Sequence, residues 1–131
     1  MGSPALVRER VPTWLIAALP GGARAARVRQ LIDTFPPDER LAVVLEGLPA
    51  DGVAECESAS ACTVIVIAPG CPCCIGQLTL RVTLARVLRL QAPRRLVIGI
   101  ADVRHEKSLA SLLGAPPWHE LLELQTNVTV A

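Results

Sequence analysis

Four short apolar runs punctuate the chain, each long enough for a strand and too short for a helix: Val11 to Leu19, Leu41 to Leu45, Cys62 to Ala68 and Arg95 to Ala101. The second is continuous rather than alternating, as expected of a strand covered on both faces of a parallel sheet, and the third is the most β-branched. Between the runs the period changes. Val28, Leu31, Ile32 and Phe35 recur at i, i+3, i+4 and i+7, which predicts a helix with Arg24, Arg27 and Arg29 at its other positions. A longer helix is predicted after the third run, with Ile75, Leu78, Val82, Ala85 and Leu88 as its buried stripe, broadened by Leu80, Leu84 and Val87. Its Arg81, Arg86 and Arg89 fall within an arc of about 140° at 100° per residue, so one basic edge faces water.

Turn and stop signals agree with this parse. Pro20-Gly21-Gly22 turns the chain after the first strand, Pro36-Pro37 stops the first helix and Ala92-Pro93 stops the second. Residues 47 to 61 show no periodicity and are long enough to be a switch or binding loop. Ser108 to Leu113 and Pro117 to Leu124 are expected as short helices, the latter with Pro in its first turn, and Asn127 to Ala131 as a last strand. Strands alternating with helices predict an α/β fold with three α/β/α layers, a mostly parallel sheet, right-handed crossovers and ligand loops at the strand carboxyl ends. A single domain over residues 1–131 is expected, with residues 1–10 disordered.

Composition narrows the function classes. The apolar half of the chain is almost wholly aliphatic, and Trp14, Trp118 and Phe35 are its only aromatics, too few to stack single-stranded nucleic acid. A net charge of +1 gives no field for nucleic acid or an anionic membrane, and neither is expected as a partner. No apolar run approaches the ~18 residues of a membrane span, and the first twenty residues lack a signal-peptide core. Five cysteines, three bunched in one turn beside Cys56 and Cys62, fit a reducing compartment better than a disulfide framework, so a cytoplasmic setting is expected.

That turn, Gly70-Cys71-Pro72-Cys73-Cys74, carries the most distinctive chemistry. It lies between a strand and a helix, where adjacent thiols bond to one another only with strain. Three thiolates converging from one turn suit Zn²⁺ or a neighbouring transition metal. The competing reading is a set of partly buried thiols closing a loop with no ion. A thioredoxin-type role fits poorly, because one residue separates Cys71 from Cys73 and an extra thiol interrupts Cys71 to Cys74. Cys56, Cys62, His105 and His119 are the remaining soft donors for a fourth ligand, each more commonly an ordinary structural residue. Asp102 and His105 follow the fourth strand, where Asp102 has an alternative role in a turn or helix cap.

The strand, Gly turn and helix at residues 14 to 32 outline an anion-binding loop in which Gly21, Gly22 and Arg24 are the candidate contacts. Against the Walker A pattern the loop is degraded. Ala18 and Ala23 stand at the signature glycines, Arg24 at the lysine and Ala25 at the Mg²⁺-binding hydroxyl.

From about Val11 to Val130 the chain resembles the CobW-type P-loop GTPases, a family of metallochaperones and metal-insertion proteins with a Gly-Cys-x-Cys-Cys motif. Residues 70–74 match that motif at every fixed position, and the Val11-Pro12 entry, Leu41-Ala-Val-Val44 and Val128-Thr-Val130 are similar as well. The resemblance implies a P-loop NTPase-like fold, metal ligation by Cys71, Cys73 and Cys74, and a metalloprotein client. It implies no active GTPase, however. Glu46-Gly47-Leu48-Pro49 replaces the family's Asn-Glu-Phe-Gly, and Gly99-Ile100-Ala101-Asp102 replaces its Glu-Thr-Ser-Gly, so the hydrolytic carboxylates are displaced. The Asn-Lys-x-Asp segment and the family's C-terminal domain are expected to be absent. The expectation is thus a metal-binding relative with hydrolysis lost and GTP/Mg²⁺ not required. The alternatives are a non-hydrolysing nucleotide-binding module or an interaction domain with vestigial cysteines.

Overall fold

The computed structural model describes residues 10–17, 23–46, 62–67, 74–100 and 106–125, with side chains omitted at 23–25 and 74–77. Its element order is β1 (Val11–Ala17), α1 (Ala23–Asp33), β2 (Leu41–Glu46), β3 (Cys62–Ile67), α2 (Cys74–Leu90), β4 (Arg95–Ile100), α3 (Glu106–Leu113), a 3₁₀ turn (Trp118–Glu120) and β5 (Leu122–Leu124).

All five strands are parallel, in the order β3-β2-β4-β1-β5. The three-layer α/β/α arrangement of P-loop NTPase-like type therefore stands as expected. β2 and β4 lie inside the sheet and are almost wholly buried from Leu41 to Leu45 and Leu96 to Ile100, which is why their sequences run apolar without alternation. Two cores flank the sheet. Leu80, Leu84 and Val87 of α2 and Leu109 and Leu113 of α3 pack with Val44, Ile98 and Ile100 on one face. Val28 of α1 packs with Ile16, Val43, Leu45 and Val97 on the other, where Leu31, Ile32 and Phe35 extend the contact. Opposite faces for α1 and for α2 with α3 follow from handedness: the connection from β1 leads one way along the sheet, and those from β3 and β4 lead the other.

Two predicted features are corrected. The segment 117–124 is not a helix. A single 3₁₀ turn after the cis Pro116–Pro117 bond gives way to β5, whose Leu122 is buried, Glu123 exposed and Leu124 half-buried. That alternation matches a strand, and pairing Val11 to Leu122 and Thr13 to Leu124 extends the sheet beyond β1. The second correction concerns α2, which buries Leu80, Leu84 and Val87 and leaves Leu78 and Val82 more than half exposed. Only one side of this helix meets the sheet, and among the described residues nothing lies over its outer side. The expected strand at 127–131 falls outside the described residues.

Candidate metal and anion sites at the carboxyl edge

Each connection with candidate chemistry leaves the same edge of the sheet. The chain departs β1 at Ala17 toward Gly21, Gly22 and Arg24, and β4 at Ile100 toward Asp102 and His105. Ala17 and Ile100 are register partners, so both departures are level. Their connections lead to helices on opposite faces, so the boundary between β1 and β4 is the topological switch point of the sheet, the place where open α/β sheets bind ligands. The chain leaves β3 at Ile67 toward Cys71, Cys73 and Cys74. β2 and β4 intervene between β3 and β1, so three strand spacings of ~4.8 Å set the end of β3 about 14 Å along the edge from the end of β1.

Local sequence explains these helix starts. Neither α1 nor α2 carries an acidic residue in its first turn. A helix amino end favours negative charge, a thiolate or bound anion included, and here no carboxylate of its own competes. Cys74 is the first residue of α2, and Arg24 lies in the first turn of α1. Their side chains, together with Gly21, Gly22, Cys71, Cys73, Cys56, Asp102, His105 and the connection 47–61, lie outside the described residues. Further along α1, Arg29 pairs with Asp33 at 3.6 Å, an exposed ion pair on the helix face.

Two of the proposed fourth ligands are placed elsewhere. Cys62 is the first residue of β3, at the opposite edge of the sheet, and it is disulfide-bonded. The expectation of a free thiol is corrected there. His119 sits in the exposed 3₁₀ turn immediately before β5, also at the amino edge, where Leu121 accepts the Val11 N–H at 2.8 Å. Among the described residues no three His, Cys, Asp or Glu side chains gather into a metal-holding group. None of the described helices is long and apolar enough to cross a membrane.

The amino edge carries a charged cluster that motif reading missed. Arg95 Nη1 donates to Glu39 Oε2 at 2.6 Å, and Arg94 Nε lies 3.9 Å from Oε1. The Arg95 hydrogen bond, aided by both guanidinium charges, holds the Glu39 carboxyl below its usual range despite some desolvation. Arg95 also stands 5.3 Å from the Phe35 ring centroid, and Phe35 meets Trp14 at 4.8 Å and 45°. The available signal was Glu39 just before one strand and Arg94-Arg95 at the start of its neighbour.

Comparison with known proteins gives one relative. The chain is 27% identical over 119 residues to the zinc chaperone YeiR of Escherichia coli (strain K12), a match covering 90% of this chain and 36% of that protein. The chain thus spans about a third of the length of the curated relative it matches. No family model matches the chain, and no solved structure does.

Proposed function

We propose that this chain is a metal-handling domain of the CobW type, which takes up Zn²⁺ or a neighbouring divalent transition metal through Cys71, Cys73 and Cys74 and passes it to a metalloprotein client. The metal is cargo rather than a resident cofactor. One observation carries the reading: the Gly-Cys-Pro-Cys-Cys sequence falls between the end of β3 and the first residue of α2 in a chain whose curated relative is named a zinc chaperone. The donor set fits. Three closely spaced thiolates match the softness of zinc, and the turn runs into a helix start with no competing acid. With Cys62 and His119 at the far edge, His105 is the favoured fourth ligand, because the β4–α3 connection leaves the same edge as the cysteine turn. Hydrolysis is not part of the reading, since Ala18, Ala23 and Ala25 cannot supply what a Walker A loop uses.

Co²⁺ titration of the reduced protein tests this reading. Thiolate-to-metal charge-transfer absorption is expected to saturate at one equivalent, vanish in Cys71→Ser/Cys73→Ser/Cys74→Ser and weaken in His105→Ala. Cys62→Ser and His119→Ala are expected to titrate as the parent does. Absorption that survives the triple substitution, or never appears, defeats the proposal.

The switch point between β1 and β4 favours a second reading, a nucleotide-binding module that holds a phosphate at Gly21, Gly22 and Arg24 without cleaving it. Calorimetry with GTP and Mg²⁺ tests it. Heat of binding that disappears in Arg24→Ala is the expected result, and its absence removes this reading.

A further inference from the structure

The sheet has a second built feature at its amino edge, remote from the cysteine turn. A cavity of about 1200 Å³ opens between the last turns of α2 and the 3₁₀ turn. Its apolar lining includes Leu88, Trp118 and Leu121. Among the described residues, Arg10, Arg89, Arg94 and Arg95 line it against Glu39 and Glu123, an excess of two positive charges. The pairing is uneven. Glu39 occupies Arg95 closely and Arg94 at 3.9 Å. Arg10 spends Nε and Nη2 on the Leu122 carbonyl oxygen, at 3.3 and 3.2 Å, and this neutralises no charge. Exposed Arg89 has no hydrogen-bond or ion-pair partner among the described residues.

We propose that this cavity receives an acidic polypeptide segment of a partner, with an apolar side chain against Leu88, Trp118 and Leu121 and flanking carboxylates on Arg89 and Arg94. Size and charge both favour this occupant. The volume exceeds the ~300–1000 Å³ of small-molecule clefts, and guanidinium groups beside an apolar floor match a carboxylate-bearing peptide. A nucleic acid fits less well, because Trp118, the one lining aromatic among the described residues, is only 6% exposed and two carboxylates would face its phosphates. The proposal is independent of metal binding, since the cavity lies at the amino ends of the strands and the chain leaves β3 for the cysteines at the carboxyl end.

The chain has two tryptophans, so Trp14→Phe leaves Trp118 as the sole emitter and a reporter of the cavity. Titration at low salt uses an acetylated, amidated ELEELE hexapeptide, with KLKKLK as counter-probe and circular dichroism to verify folding. ELEELE is expected to shift Trp118 emission saturably. Arg89→Gln/Arg94→Gln is expected to weaken that binding about fivefold, while Arg81→Gln, on the same helix outside the cavity, leaves it unchanged. An equal response to KLKKLK, equal weakening by Arg81→Gln, competition by a dT₁₂ oligonucleotide or no saturable shift overturns the proposal. So does arginine-dependent binding of anilinonaphthalene sulfonate with no response to ELEELE, which would make the cavity a site for small amphipathic anions.

Discussion

At φ 44°, Ala92 occupies the left-handed conformation just past the carboxyl end of α2, a place where helices ordinarily use glycine. The Gln91 N–H still donates to the Val87 carbonyl at 2.9 Å, and Pro93 then prevents the helix from continuing. An alanine in this conformation costs about 1–2 kcal/mol, whereas glycine adds back part of that as unfolded-chain entropy. Ala92→Gly is therefore expected to stabilise the fold by about 0.5–1 kcal/mol in urea denaturation. Glu39 gives a second residue-level expectation. Its carboxyl is held below the usual range by Arg95 and the neighbouring guanidinium of Arg94, so it favours the folded state at pH above its unfolded value. That contribution is lost as pH falls through the lowered folded value. Thermal melts between pH 7 and pH 3 should show a shallower acid loss in Glu39→Gln than in the parent, and parallel curves would contradict the assignment.

Among the elements, α2 separates residues of similar chemistry by their surroundings. Leu84 is fully buried against the sheet, while Val82 is 53% exposed on the outer side. Leu84→Ala is expected to cost about 2–5 kcal/mol and Val82→Ala no more than about 0.5 kcal/mol, both read from denaturant midpoints. Here the limits of sequence reading are physical. The strands β2 and β4 were legible because burial on two faces demands uninterrupted aliphatic runs, β3 because its β-branched run marks a strand even at the sheet edge, where only Ile67 is buried, and α1 because its stripe has a single solution. α2 carries apolar residues nearly all round, so periodicity alone could not choose the stripe that faces the sheet. Leu121-Leu122-Glu123-Leu124 suits either period, and only the free edge of β1, with its Arg10 and Thr13 groups ready to bond, decides for a strand. The Gln125 N–H donating to the Thr13 carbonyl at 2.8 Å continues that pairing.

For the whole molecule, sequence identified the edge from which the candidate segments leave the sheet but not which soft donors lie away from it. Cys62 and His119 are as suitable as His105 by residue type; strand direction separates them. The charged cavity at the opposite edge escaped notice because Arg10, Glu39, Arg89 and Arg94 are far apart in the chain and form no spaced motif. The strand order has a further consequence. β4 is the central member, bonded to β2 on one side and β1 on the other, so β1 cannot join the β2–β3 pair until residues 95–100 have been synthesised. A nascent chain stopped near residue 90 would carry β1 without its β4 and β5 partners and would lack Leu96, Val97 and Ile98 from the two cores. The protein is therefore dependent on late-arriving residues, and its vulnerability to misfolding is concentrated before the ribosome has released its central strand.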